Sequence, residues 1–338
     1  MKKSFIIALG AIALVACTKT SVSYEQTGEI GFAPVVRKNS TKAAVQGAVQ
    51  GATFPEQNIM VFGYYDNSMP EGSSYASNNF ADAYLPGVQF AKNGAIWSGA
   101  NNNHYYWPKT GSMLFAGYSP VDFAGVVTFN LASNTFSVKE CTQPEFSATK
   151  DLLYAGYDKS VLRGPVAMAF SHALSWVTVQ AKAAAANQIK ITNIKFVKLA
   201  EKGSSTGLPE WTTTGTKDIT VFNPKAACKV PAVDTLVESN PNCGLVFPQT
   251  LADAAAIEVS YQMNNGADQW FAQAPFVQKL NSLKSGHDTI DKWEAGKHYT
   301  YIINFSRIEG GSDSSNEITI APTVNDWESV TADGISAN

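Results

Sequence analysis

The apolar residues of this chain fall in many short runs separated by turn-forming segments, which constrains the fold more than any other feature. Residues 59–65 form an almost continuous apolar run, and residues 189–199 alternate between apolar and other residues. Such lengths and periods are typical of β-strands, whereas a helix needs a longer run with a period of 3.6 residues. The helix-favouring run at residues 181–186 is too short to be stable alone. The sequence therefore predicts an all-β fold.

The first seventeen residues have the composition of an export signal. A basic start precedes the apolar stretch 5–15, which is too short to span a membrane as a helix. Small residues then precede Cys17, as a lipoprotein signal peptidase requires. We expect residues 1–16 to be a lipoprotein signal peptide, Cys17 to become the acylated (palmitate-bearing) terminus, and the polar residues 17–27 to be a tether. The alternative is an ordinary secretory signal that happens to contain a cysteine.

Composition and length limit the classes of function. The net charge is -3 and charged residues make up 16% of the chain, which argues against nucleic-acid binding because that needs a basic face. The roughly 320 residues after the signal suffice for two domains with separate cores. Turn-forming residues at 159–165 predict the boundary. We expect an N-terminal β-sandwich domain at 28–163 and a C-terminal one at 164–338.

The cysteines and histidines indicate structural roles. Cys228 and Cys243 flank a polar loop, and the exported setting permits a disulfide between them, with unpaired thiols as the alternative. Cys141 is then expected to be a buried small hydrophobe. His172 lies between apolar residues and is expected to be a hydrogen-bonded core histidine. Because no metal-ligand spacing or catalytic signature is present, we expect no metal, no cofactor and no enzymatic activity.

Short motifs occur in order along nearly the whole chain. They are the motif ending at Cys17, Ile30-Gly31-Phe32, Tyr106-Trp107-Pro108, residues 114–120, 151–155, 170–174 and 293–301, and Asp326-Trp327-Glu328. Together these stretches resemble the fimbrillin family, the subunits of type V pili of anaerobic Gram-negative bacteria.

The resemblance implies two tandem β-sandwich domains of transthyretin-like, Greek-key topology. It also implies a structural stalk or tip subunit, exported as a lipoprotein precursor to the outer membrane and trimmed there by a trypsin-like protease. Assembly with other fimbrial subunits would follow by donor-strand exchange, in which a neighbour's extended segment fills the groove left by a removed strand. Such a cell-surface fimbrium contributes to adhesion to a host or bacterial ligand.

The first strand carries the residues that this mechanism would use at the N-terminal end. The side chains expected to plug the groove in the precursor are Ile30, Phe32 and either Val35 or Val36. Arg37, at the end of this strand, is the expected cleavage position, with Lys38 and Lys42 as alternatives. Without cleavage, Arg37 would be an ordinary solvated loop arginine.

The C-terminal segment carries the candidate donor strand. Residues 316–328 follow a Gly/Ser-rich stretch at 310–315, and Ile318, Ile320 and Val324 would be the inserting side chains. The alternative is a last strand that pairs within its own domain, with residues 310–315 as a hairpin loop.

A second class of function remains open from the residues alone. A monomeric surface lipoprotein that binds glycans would keep its N-terminal strand and its lipid. Trp97, Trp211 and Trp270 lie in polar surroundings, and one of them is a candidate platform for a sugar ring.

Overall fold

The computed structural model describes residues 28–36, 54, 57–76, 80, 82–146, 150–183, 189–222, 228–230, 235–236, 243–264, 269–307 and 316–327. Almost all of its regular structure is β-strand, so the all-β fold predicted from the short apolar runs is confirmed. Within these residues no helix has the length and apolar character needed to cross a membrane.

The strands are short, and many of them bury alternate side chains. In chain order they are β1 (Gly31–Val36), β2 (Ile59–Asp66), β3 (Asp82–Asn93), β4 (Ile96–Gly99), β5 (Ser112–Ser119), β6 (Val127–Asn130), β7 (Thr135–Thr142), β8 (Leu153–Ala155), β9 (Pro165–His172), β10 (Ser175–Ala183), β11 (Ile189–Leu199), β12 (Lys202–Gly207), β13 (Glu210–Thr214), β14 (Lys217–Phe222), β15 (Cys228–Lys229), β16 (Thr235–Leu236), β17 (Cys243–Val246), β18 (Gln249–Thr250), β19 (Ala256–Asn264), β20 (Trp270–Ala272), β21 (Phe276–Lys279), β22 (Lys284–Ser285), β23 (Asp288–Thr289), β24 (Lys292–Trp293), β25 (Lys297–Arg307) and β26 (Asn316–Asp326). Short 3-10 helices occur at Ala100–Asn102, Val121–Phe123 and Leu280–Ser282.

The first sheet closes on itself in the order β1-β4-β3-β2-β5-β8-β9. β1 completes the closure. It pairs in parallel with β9 along its whole length and antiparallel with β4 at the pair Phe32 and Trp97. A strand with a neighbour on each side satisfies backbone groups of both neighbours as well as its own.

β1 buries one face because side chains alternate along a strand. Ile30, Phe32 and Val36 are at most 1% exposed and belong to the apolar core of the closed sheet. Val35 is half-buried and is not part of that core. The prediction left Val35 and Val36 open as the third plugging side chain. In the structure Val36 is the buried one of the two, because a period of two from Ile30 and Phe32 puts even-numbered residues on the inner face.

A four-stranded sheet, β13-β12-β7-β6, packs against the outer face of β2 and β5. The shared core contains Met60 and Tyr118 from the closed sheet, Phe136 and Val138 from β7, and Leu208. β12 and β13 come from the second half of the chain, so this core combines segments from both halves.

The second half forms a sandwich of two sheets. One contains β16 and β17, which pair with β10, followed by β25 and β26; the other contains β14, β15, β11, β19, β20 and β21. Their common core includes Val177 and Ile303 from the first of these sheets, and Phe196 and Ile257 from the second. The predicted division into two tandem transthyretin-like domains stays a prediction.

Strand pairing changes from the closed sheet to the sandwich between β9 and β10. Residue 163 precedes β9, and β9 pairs with β1 and β8 in the closed sheet. The next strand, β10, pairs with β25. The turn at 163–165 leads into β9, so the change of sheet falls after His172.

Replacing Phe32 with alanine should destabilise the intact chain by about 3–5 kcal/mol. The ring of Phe32 contacts those of Phe90 and Phe115 edge-to-face, with centroids 4.7 and 5.1 Å apart, so its loss leaves a cavity. Val35→Ala on the same strand is the matched control and should cost about 1 kcal/mol or less. Urea-induced unfolding measures both, and equal losses would contradict this assignment of faces.

Candidate functional site

The candidate site is the place of β1 in the closed sheet. We call the space between β4 and β9 that β1 occupies the β1 groove. It is lined by Phe90, Trp97, Phe115, Met168 and Phe170, which share an apolar core with β1. Pro34 also faces inward, opposite Met168 of β9.

The start of β1 is held by a second set of contacts. The amide of Ile30 donates to the carbonyl of Tyr105 at 2.7 Å, and that of Trp107 donates to Gly28 at 2.8 Å. The carboxylate of Glu29 contacts the Nδ1 atom of His104. The removal of β1 would therefore also break these contacts with residues 104–107.

The C-terminal strand β26 pairs antiparallel with β25, from Asn316 opposite Arg307 to Asp326 opposite Lys297. In this structure the strand therefore pairs within its own chain, which is the alternative to donation given above. It occupies an end of its sheet's strand order. The predicted inserting residues lie on one face, since Ile318, Ile320 and Val324 pack, partly buried, against the sandwich core.

The end of β26 is held by a cluster that the sequence did not predict. We call Asp151, His172, Trp176, His298 and Trp327 the Trp327 cluster. Trp327 stacks on His172 with ring centroids 3.7 Å apart, and Trp176 stacks on His298 at the same distance. Nδ1 of His172 lies 2.9 Å from the Asp151 carboxylate, so His172 is the hydrogen-bonded core histidine that we expected.

This cluster keeps its polar ring atoms out of water. Nε1 of Trp327 and of Trp176 and Nδ1 of His298 are buried and have no hydrogen-bond partner among the described residues. Nε2 of His298 lies 2.9 Å from the Thr178 hydroxyl. Burial lowers the pKa of His298 to about 4, because a charged imidazolium loses its hydration there.

Several predicted residues lie outside the described part of the chain. They are Cys17, the tether residues 17–27, Arg37, Lys38 and Lys42. Lipidation and cleavage at these positions stay predictions.

The predicted Cys228–Cys243 disulfide also stays a prediction. By backbone pairing, Cys228 lies opposite Ile191 on β11 and Cys243 opposite Thr178 on β10, in different sheets of the sandwich. Cys141 is a half-buried free thiol whose pKa is raised by burial, which disfavours the reactive thiolate. Among the described residues, no group of His, Cys, Asp and Glu could hold a metal ion.

The three candidate tryptophans have different surroundings. Trp97 is buried in the closed sheet, and the ring of Trp270 lies 3.9 Å from the ammonium of Lys190. Trp211 is half-buried, donates from Nε1 to the carbonyl of Ala173 at 2.7 Å, and lines a polar cleft of about 340 Å³. Because it lines this cleft, Trp211 stays the candidate ligand platform, although its ring also packs against that of Phe247 at 4.9 Å.

The chain belongs to the fimbrillin-like family, whose model matches residues 41–327. No curated protein matches the chain. Among solved structures, a fimbrial protein from Bacteroides vulgatus is similar over 80% of this chain and 92% of its own, with 14% identity and a TM-score of 0.54. A candidate cell adhesion protein from Bacteroides ovatus is similar over 90% of this chain and 99% of its own, with 18% identity and a TM-score of 0.51.

At identities this low, similarity to solved structures establishes a shared fold and nothing more. The class of function comes from the family match. The fimbrillin-like family consists of structural fimbrial subunits and not of enzymes. Membership supports a role as a fimbrial subunit at the cell surface, assembled with other fimbrial subunits.

The free energy of unfolding should fall as the pH drops from about 6.5 to about 4. His298 stays neutral in the folded state down to its pKa of about 4, whereas in the unfolded chain it takes up a proton near pH 6.5. The unfolded state binds more protons in this window, so His298 contributes a loss of about 3 kcal/mol. Comparison of wild type with His298→Gln by urea unfolding at several pH values isolates this contribution. Identical pH profiles would contradict it.

Proposed function

We propose that this protein is a structural subunit, stalk or tip, of a type V fimbria that assembles by donor-strand exchange and contributes to adhesion. It would be exported as a lipoprotein precursor anchored in the outer membrane through Cys17 and trimmed by a trypsin-like protease after Arg37. The observation that carries the proposal is the position of β1, which closes the first sheet directly before the expected cleavage position.

The free energy that the side chains of β1 contribute by burial is large enough that the strand must be replaced once it is removed. Burial of Ile30, Phe32 and Val36 at about 1.5–3 kcal/mol each contributes on the order of 5–9 kcal/mol. This is comparable with the whole stability of a typical domain, about 5–15 kcal/mol. A chain without β1 would also expose unpaired backbone groups of β4 and β9. The groove therefore needs a replacement strand, which a neighbouring subunit can supply by β-augmentation.

The basic residues directly after β1 support proteolytic cleavage at the end of this strand. Arg37 follows β1 without an intervening residue, so a cut there separates β1 and everything before it, including Cys17, from the rest of the chain. Lys38 and Lys42 are alternative positions with the same consequence.

A monomeric surface lipoprotein that binds glycans is the second candidate, and the cleft at Trp211 favours it. Glu210, Gln249, Lys292 and Glu294 also line this cleft, and such groups hydrogen-bond sugar hydroxyls while an indole stacks on the ring. A protein with this function would need neither cleavage nor strand exchange.

Trypsin treatment of the purified protein tests the proposal. We expect one early cut after Arg37, loss of the N-terminal fragment, and SDS-resistant ladders, as followed by intact mass and size-exclusion chromatography. Arg37→Gln, combined with Lys38→Gln and Lys42→Gln, should abolish cut and ladder together. Arg163→Gln removes the same charge at an exposed arginine elsewhere in the chain and should change neither.

The other outcomes discriminate between the candidates. An intact N-terminus and a persistent monomer would contradict the proposal and favour the glycan-binding lipoprotein. A clean cut without ladders would contradict a self-assembling stalk subunit and favour a tip position or a need for a different partner.

A further inference from the structure

The first and last described strands contain similar eight-residue sequences. Residues 29–36 read Glu-Ile-Gly-Phe-Ala-Pro-Val-Val, and residues 317–324 read Glu-Ile-Thr-Ile-Ala-Pro-Thr-Val. Without any gap, five of the eight positions are identical, namely Glu, Ile, Ala, Pro and Val. A sixth position, Phe32 against Ile320, is apolar in both segments. This repeat links β1, which closes the first sheet, to the strand that pairs with β25.

The aligned residues of the two strands also point their side chains to the same face, the one that packs against a core. In β1 the inward residues are Ile30, Phe32, Pro34 and Val36. In β26 the residues of lower exposure are the aligned ones: Ile318, Ile320, Pro322 and Val324. The two strands therefore present the same apolar pattern, with proline at the third inward position, on the face that packs against a core.

We infer that residues 317–324 of one copy of this chain occupy the β1 groove of a second copy, in the register of the repeat and parallel to β9. Ile318 takes the place of Ile30, Ile320 that of Phe32, Pro322 that of Pro34, and Val324 that of Val36. The inference rests on the proposed strand exchange and adds the register and the direction in which the candidate donor strand enters the groove. A chain whose donor strand copies its own removed strand is complementary to itself, which assigns it to a self-assembling stalk.

The difference in burial between the two positions favours the transfer. In its own sheet β26 leaves Ile318, Ile320 and Val324 only partly buried. In the β1 groove the corresponding side chains of Ile30, Phe32 and Val36 are 0–1% exposed. Ile318, Ile320 and Val324 would therefore lose more contact with water in the groove than in the donor's own sheet, whereas Pro322 is already buried there.

Backbone pairing in the groove accepts proline at the third inward position. Pro34 pairs with Met168 on β9, while the pairing of β1 with β4 is confined to Phe32 and Trp97. A proline here has no ladder partner on the β4 side to lose. In the proposed register Pro322 would lie opposite Met168 and would likewise have no ladder partner on the β4 side. Glu317 would stand where Glu29 contacts His104.

A graft in the intact chain tests the register without any need for cleavage. The triple variant Gly31→Thr/Phe32→Ile/Val35→Thr gives β1 the sequence of residues 317–324. Gly31 is buried, so threonine there is the most demanding change. We expect a folded monomer whose Tm falls by about 5 °C. The control Gly31→Ile/Phe32→Thr/Val35→Thr has the same composition but places threonine on the inner face, and its Tm should fall at least twice as far.

A disulfide cross-link in the trypsin-treated material tests the register between copies. Ala33 pairs with Ala167, so Ala321 of a neighbour should lie opposite Ala167. Both Ala167 and Ala321 are exposed, and in the monomer they lie in different sheets. Ala321→Cys/Ala167→Cys should give covalently linked oligomers under mild oxidation. Thr323→Cys/Ala167→Cys is offset by about 7 Å along the strand and should not, since that exceeds the reach of a disulfide. Each single variant controls for the native cysteines.

The outcomes separate this inference from the function on which it rests. Ladders without the Ala321–Ala167 cross-link, or with the offset cross-link instead, would overturn the register while strand exchange stands. A graft that loses as much stability as its control would overturn the equivalence of the two strands. If no ladder forms at all but the graft is tolerated, strand exchange between copies fails and the similarity reflects two strands that merely pack alike.

Discussion

The closed sheet of the N-terminal half depends on a single six-residue strand, β1, whose two neighbours come from distant parts of the chain. β1 pairs along its length with β9 and contacts β4 at Phe32. Phe32 is the centre of this arrangement, because its ring packs against both Phe90 and Phe115. Without β1 the sheet would open into two edges around an apolar groove, and both the backbone groups and the aromatic side chains would face water. The same strand is therefore essential for the closed sheet and, in the proposed mechanism, exchangeable.

The contacts of β26 in its own sheet oppose its transfer to a neighbouring subunit. Its full antiparallel pairing with β25 and the packing of Trp327 between His172 and Trp176 favour the self-paired arrangement. Because Trp327 follows β26 directly, release of the strand must also remove this indole from the buried cluster. The gain on entry into a neighbour's groove has to exceed that cost. The more complete burial of the aligned positions in β1 supplies a physical reason why it can.

The sequence predicts the strands better than it predicts their partners. Short alternating runs identify the strands, and a period of two from Ile30 and Phe32 is enough to select Val36 over Val35. The membership of β9 in the closed sheet follows from its parallel pairing with β1, a contact between distant segments that has no local signal. The Trp327 cluster joins residues as distant as Asp151 and Trp327, so its stacking could not be predicted from composition or spacing. The similarity of residues 29–36 and 317–324 was present in the sequence but becomes meaningful only when both inward faces are known.

The most direct test of the central claim, that the β1 groove is a place that one strand can leave and another can enter, is a cryo-EM structure of the assembled fimbria. Our interpretation predicts density for residues 317–324 of a neighbouring subunit between β4 and β9, parallel to β9, with Ile320 between Phe90 and Phe115. A fimbria in which each subunit retains its own Ile30, Phe32 and Val36 in that groove would contradict it.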